Sequence, residues 1–414
     1  MPQILNVDMR ACSLRLRSLV AHTPLMHHKR LSEKYECNIY LKREDLQSVR
    51  SYKIRGALNK LLSLSSEQLS KGVTCASAGN HAQGVAHSCI YLKVHGSIFM
   101  PSNTPAQKIE RVKSLGGKFV KIFLTGETYD ECAETAAAYC ENNNTCFIHP
   151  FDDERIIEGQ ATVAMEISED LNEVDYVFVP VGGGGLAAGM GYFFHQYSPD
   201  TIMIGVEPEG AASMTAAFES GKPVRLEKID PFVDGAAVSK VGQLTYEICR
   251  EILDDIHTVA EGKVCSVLLS MYNEDGILTE PAGVLSIAAL DDYAEMIKGK
   301  NVVCILSGSN NDSNRMEEIK KLADAWEGLQ HYLIVRFHHN PDGLKEFFSS
   351  ILGPNDYVNR IEYVRRDHGR STYALLGIRC KNHTAYAELA VRLKSSQTEF
   401  REVKKEDFLF KYWV

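Results

Sequence analysis

Short β-branched runs alternate with longer stretches of helical periodicity between about residue 35 and residue 310. The runs Asn38–Lys42, Val73–Ser77, Gly96–Met100, Lys118–Phe123, Tyr176–Val181, Met203–Glu207 and Val302–Ser307 are expected strands. The segments Ile54–Leu64, His81–Leu92, Pro105–Leu115, Thr128–Glu141, Glu158–Leu171 and Leu186–Tyr197 are expected helices between them. Strand and helix in turn predict parallel sheets with helices on both faces, an α/β fold. Ligands bind such sheets at the carboxyl ends of the strands, so the turns after strands are where chemistry is sought.

The rhythm changes after about Ala325. Strands are expected at His331–Phe337, Arg360–Arg365, Ser371–Cys380 and Phe400–Val403, with helices at Pro341–Ile351 and Thr384–Lys394. This order predicts a small α+β unit over 326–414, apart from a main body over 1–325 that carries a smaller subdomain at about 43–145. A chain of 414 residues exceeds one ordinary core of about 150 residues.

Composition adds exclusions. Apolar residues at 44% and charged residues at 24% are those of a globular protein. A net charge of −9 argues against a general nucleic-acid binder. The 11 cysteines lie scattered without a CxxC pair, which reads as reduced thiols rather than a disulfide frame or zinc site. No signal-peptide core and no membrane-length apolar run is evident, so a soluble, cytoplasmic protein is expected.

Candidate chemistry begins at Gly182-Gly183-Gly184-Gly185-Leu186, where an apolar strand runs through four glycines into a helix. Bare amides opening a helix cradle an anion, whereas a tight turn needs only one or two glycines. Gly183, Gly185 and Ala188 also fit G-x-G-x-x-A, with Glu207 ending the next strand, so a nicotinamide dehydrogenase is a rival reading. Lys53, in Ser51-Tyr52-Lys53-Ile54-Arg55, opens an apolar helix; the helix dipole and Arg55 would both disfavour its ammonium form. Ser77-Ala78-Gly79-Asn80-His81 follows a strand and opens another helix. There Ser77 and Asn80 could serve as caps, or the segment could hold a substrate carboxylate. Ser307-Gly308-Ser309-Asn310 ends the apolar strand NVVCIL and sets a hydroxyl at the sheet edge.

Together SYKIRGA, SAGNHAQG, PVGGGGLAAG, EPAG at Glu280–Gly283 and LSGSN resemble the fold-type II pyridoxal-phosphate enzymes, the tryptophan synthase β-like group. Within that group they look like the threonine dehydratases, over about residues 10 to 325. The resemblance implies two subdomains of parallel α/β sheet and pyridoxal 5'-phosphate as cofactor. It matches Lys53 to the Schiff-base lysine, Asn80 to the ring-oxygen partner, Gly182–Leu186 to the phosphate loop and Ser307 to the partner of the pyridine nitrogen. It gives Ser77, Ala78, Gly79, Asn80 and His81 to the substrate, with Glu280 as a candidate active-site acid. A neutral serine at the ring nitrogen favours β-elimination over transamination, which implies conversion of L-threonine to 2-oxobutanoate and ammonia.

In metal-dependent relatives resembling serine racemase, the glutamate at the Glu207 position acts with an aspartate six residues on. Here that position is Ser213, so no metal is expected. The adjacent pairs His27-His28 and His338-His339 point to different faces and make poor metal sites. The tail resembles one ACT-like regulatory domain of biosynthetic threonine dehydratases. It implies isoleucine as feedback inhibitor, valine as its opponent, and a homo-oligomer, tetramer or dimer. A serine dehydratase or racemase on the same scaffold, and a catalytically silent amino-acid sensor, are the remaining alternatives. One methyl group in an apolar pocket discriminates by only about 1–3 kcal/mol.

Overall fold

The computed structural model describes residues 7–338, 345, 347–354, 356–364, 371–396, 398–404 and 407. Its contacts divide the chain into Met1–Asp312 and Ser313–Val414. The expected division after residue 325 therefore falls at the end of a helix, Met316–Trp326, that belongs with the second unit.

The first unit holds strands β1 Leu25–His27, β2 Asn38–Arg43, β3 Val73–Ala76, β4 Gly96–Met100, β5 Val120–Leu124, β6 Cys146–Phe147, β7 Tyr176–Pro180, β8 Ile202–Pro208, β9 Asp255–Val259 and β10 Asn301–Leu306. They form a six-stranded sheet, β1-β2-β10-β7-β8-β9, and a four-stranded sheet, β5-β4-β3-β6. Every pairing is parallel except that of β1 with β2. Parallel strands covered on both faces read as unbroken apolar runs. Tyr176–Pro180 (YVFVP) is such a strand, with all but its first residue buried.

Helices fill the layers as their apolar faces dictate. Gly185–Tyr197 is apolar almost all round and sits in the core of the larger sheet, with Leu186, Ala187, Ala188 and Met190 buried. Glu154–Asp170 starts four residues before the expected Glu158, because the Asp153 carboxylate accepts from the amides of Arg155 and Ile156 and caps it there. The expected strand Lys118–Phe123 gives way to a 3-10 turn over Gly117–Phe119, and β5 begins only at Val120. β1 and β6 have three and two residues, too short for a pattern to show, and β9 (DIHTV) mixes polar with apolar positions.

The second unit carries β11 Gln330–His338, β12 Asp356–Val364, β13 Ser371–Cys380 and β14 Glu399–Glu402, in the order β12-β13-β11-β14 and antiparallel throughout. Leu333, Val335, Ala374, Leu376 and Ile378 pack one face of this sheet on Leu389 and Leu393 of the helix His383–Ser395. A π-turn spans Phe347–Ile351; of the expected helix Pro341–Ile351, residues 341–344 and 346 lie outside the described residues, as do Arg365 and His339. Among the described residues no helix is long and apolar enough to cross a membrane.

Candidate active site

The segments singled out in the sequence converge at the carboxyl ends of the two sheets of the first unit. Backbone bonds join two of them directly. Tyr52 N–H donates to the Ser307 carbonyl (3.2 Å), Ser309 N–H to the Arg50 carbonyl (2.9 Å), and Ser51 forms an isolated bridge with Gly308. Lys53 thereby opens the helix Lys53–Leu62 beside the end of β10.

Lys53 is half-buried, and its Nζ donates to the Pro150 carbonyl at 2.9 Å. It makes no ion pair among the described residues. Burial lowers its pKa to about 8, against the opposing charge of Glu280. Arg55, expected to contribute, is turned away. Its guanidinium is wholly buried and pairs with Glu44 (2.7 Å) and Glu166 (2.6 Å).

The glycine loop presents a run of unclaimed donors. From Gly182 to Ala187 no backbone N–H meets an internal acceptor among the described residues, although the next, Ala188 N–H, returns to the Gly184 carbonyl at 2.8 Å. The loop's carbonyls are held: Thr245 Oγ1 donates to that of Gly183 (2.7 Å) and Cys249 Sγ to that of Gly184 (3.7 Å). Gly184 needs its glycine for a φ of 89°. Gly183 needs one because an added Cβ would lie 2.2 Å from the Phe151 ring. Buried amides without partners cost about 1–3 kcal/mol each, and at a helix N-terminus they are complementary to an anion. The loop therefore fits a phosphate, and the half-buried Lys53 amine, without a counter-ion among the described residues, fits a carbonyl partner.

Asn80 does not cap its helix. Its Nδ2 donates to Glu280 Oε1 (2.6 Å), and its Oδ1 accepts from Asn310 Nδ2 (2.7 Å). The N-cap is Gly79, whose amide donates to Ser77 Oγ at 3.1 Å, and an added Cβ on Gly79 would meet nothing within 4 Å. The amides of Ala78, Asn80 and His81 have no internal acceptor among the described residues. The His81 ring is committed elsewhere: Nε2 lies 2.9 Å from the Ile148 carbonyl, and burial lowers its pKa to about 3. Its backbone N–H remains free to address a ligand.

Ser307 is buried and donates weakly to the Ala282 carbonyl at 3.2 Å. Glu280, four per cent exposed, also accepts from the Asn310 amide (3.1 Å), and burial raises its pKa to about 7. Glu207 serves a different end. Its carboxylate accepts from Met214 N–H (2.7 Å), Thr215 N–H (2.8 Å) and Thr215 Oγ1 (2.8 Å), which caps the helix Ser213–Ser220. His28 likewise caps Lys29–Tyr35 through Nδ1, and His27 faces Ser32 Oγ.

Sequence reading missed the segment His149–Asp153, which follows β6 and supplies the Pro150 carbonyl and the Phe151 ring. Asp152 in turn accepts from Gln243 and Thr245 amides (both 3.0 Å), and His149 Nδ1 accepts from Asp152 N–H at 2.7 Å. The signal was the rule that turns after strands carry chemistry, hidden because β6 is so short. A cleft of about 350 Å³, lined by Tyr129, His149, Phe151, Arg225 and Gly242, adjoins the site through Phe151.

Comparison with known proteins gives the family of the chain. The family described as pyridoxal-phosphate dependent enzyme matches residues 16–308, and that described as the C-terminal regulatory domain of threonine dehydratase matches 321–413. A biosynthetic L-threonine dehydratase of Bacillus subtilis is 51% identical over 95% of this chain and 94% of its own. One of Halalkalibacterium halodurans is 49% identical over 97% of each. Threonine deaminase isoform 2 of Solanum lycopersicum, in its processed form, superposes on 76% of this chain and 93% of its own with a TM-score of 0.72 at 40% identity. The chain thus belongs to the pyridoxal-phosphate-dependent enzymes and, within them, to the biosynthetic threonine dehydratases.

Proposed function

We propose that this enzyme converts L-threonine to 2-oxobutanoate and ammonia, the step that commits carbon to isoleucine. The observation that carries the reading is a half-buried amine without a counter-ion among the described residues, Lys53, linked through Pro150 and Phe151 to the unpaired amides of Gly182–Ala187. The amides of Gly182 to Gly185 and Leu186 hold the cofactor phosphate, Asn80 addresses the ring oxygen, and Ser307 addresses the ring nitrogen. Bound through Lys53, the cofactor supplies an electron sink that acidifies the α-carbon of the amino acid.

The remaining work falls to the chain. The free amides of Ala78, Asn80 and His81, with Ser77 beside them, receive the substrate carboxylate, and the bare Gly79 leaves it room. Lys53, once displaced, takes the α-proton; a pKa lowered toward neutrality suits that task. Ser307, a neutral hydroxyl, would leave the ring nitrogen of the bound cofactor unprotonated and so favour expulsion of the β-hydroxyl over transamination. The β-hydroxyl would take a proton from the cofactor phosphate or an acid near it and leave as water, and the released enamine would take up water to give the 2-oxo acid and ammonia. Glu280 fixes Asn80 and tunes the charge around Lys53.

The second unit supports regulation by the end product, isoleucine, with valine opposing it, in a homo-oligomer. The free thiols suit a reducing compartment, the cytoplasm. Borohydride reduction of the holoenzyme followed by peptide mapping is expected to place the cofactor on Lys53, and Lys53→Ala is expected to abolish threonine turnover. Wild-type turnover in Lys53→Ala would overturn the reading. Assays with serine beside threonine, and with isoleucine present, then test substrate preference and regulation.

A further inference from the structure

Asn310 stands in the LSGSN turn but had no role in the sequence reading. Its side-chain Nδ2 donates both of its protons, one to the Val49 carbonyl (2.8 Å) and one to Asn80 Oδ1 (2.7 Å). A backbone carbonyl only accepts, so Val49 fixes which end of the Asn310 amide faces it. That orientation in turn requires the oxygen of Asn80 on the Asn310 side. The nitrogen of Asn80 is then left facing Glu280 Oε1 at 2.6 Å, with one further proton uncommitted. The Asn310 backbone amide donates to the other Glu280 oxygen at 3.1 Å and closes the ring of contacts.

We propose that Asn310 is a positioning residue: anchored on Val49, it fixes the amide of Asn80 so that an N–H, never the carbonyl, meets the oxygen of the cofactor ring. Without it, Asn80 is free to turn over, and Glu280 alone does not prevent this, since a carboxyl with a proton accepts or donates. The inference rests on the proposed cofactor site and concerns only how one of its residues is held.

An N–H at the ring oxygen stabilises the negative charge there. Losing it leaves that charge to hold the proton on the lysine-linked nitrogen more tightly, so the visible band of the holoenzyme titrates at higher pH. The test compares that titration in wild type, Asn80→Ala, Asn310→Ala and the double variant. Asn310→Ala is expected to shift it upward by roughly half to one pH unit, about one hydrogen bond, in the same direction as Asn80→Ala. The double variant is expected to match Asn80→Ala alone, because Asn310 acts only through Asn80. An unshifted titration in Asn310→Ala, or a shift that adds in full to that of Asn80→Ala, overturns the proposal. If Asn310→Ala does not fold, Asn310→Ser makes the same comparison: its hydroxyl can serve Val49 but is too short to serve Asn80 as well. A wild type without a visible band overturns the cofactor site itself, whereas a shift confined to Asn80→Ala overturns the Asn310 inference alone.

Discussion

Arg55 lies two residues from the lysine and looks in the sequence like part of its chemistry, yet its guanidinium is sealed between Glu44 and Glu166. Lys42, also fully buried, shares Glu166 at 2.7 Å. Removing one member of such a cluster leaves an uncompensated buried charge, so Arg55→Ala is expected to cost about 3–5 kcal/mol in urea unfolding. A loss below about 1 kcal/mol would show that the cluster relaxes around the gap. Lys53 is governed by burial instead. A lysine pKa lowered to about 8 exposes the neutral amine at lower pH than usual. Mixing apoenzyme with pyridoxal phosphate should therefore give a visible band whose rate of appearance rises roughly tenfold per pH unit below about 8 and levels off above it. A rate still climbing steeply to pH 10 would mean that the amine is not perturbed.

Among the elements, turns that follow long apolar strands were legible: β7 into the glycine loop, β3 into Ser77–His81, and β10 into Ser307–Asn310. There a run of apolar strand residues ends, and the glycine, serine and asparagine that follow stand out against it. The segment His149–Asp153 was not legible because two strand residues carry no period. The Asn310–Asn80 pair was not legible because 230 residues separate its members and nothing local marks it. Two glycines, alike in sequence, separate in the structure. An alanine at Gly183 would collide with Phe151, whereas one at Gly79 enters open space. Gly79→Ala is accordingly expected to melt like wild type while its KM for threonine rises several-fold, because only the substrate meets the methyl. Gly183→Ala is expected to bind the cofactor more than tenfold more weakly. An unchanged KM in Gly79→Ala would remove Ser77–His81 from the substrate site.

For the molecule as a whole, the two units differ in their dispensability. Every residue of the proposed site lies in Met1–Asp312 and none in the second unit. A chain ending at Asp312 is expected to keep threonine turnover within several-fold and to lose any response to isoleucine; a persisting response would place the effector site in the first unit. Stability also carries a signature of the buried acids. Glu207 and Glu280 have folded pKa values raised to about 7, so the folded state binds more protons than the unfolded one between about 4.5 and 7. Their contribution is fully present below about 4.5 and lost as pH rises through 7. Glu207→Gln is expected to flatten the fall in that window, as read by urea midpoints at several pH values.

The unpaired amides of Gly182–Ala187 have a consequence for how much enzyme a cell keeps. An apoprotein with that loop unfilled lacks the stabilisation that a bound ligand supplies by mass action, about 2.7 kcal/mol at a hundredfold excess over Kd. Chains made when pyridoxal phosphate is scarce would open more often and be degraded faster. Inorganic phosphate, seated on the same donors, would shield them in part while delaying their loading. Vitamin supply would thus set the amount of this enzyme as well as its activity.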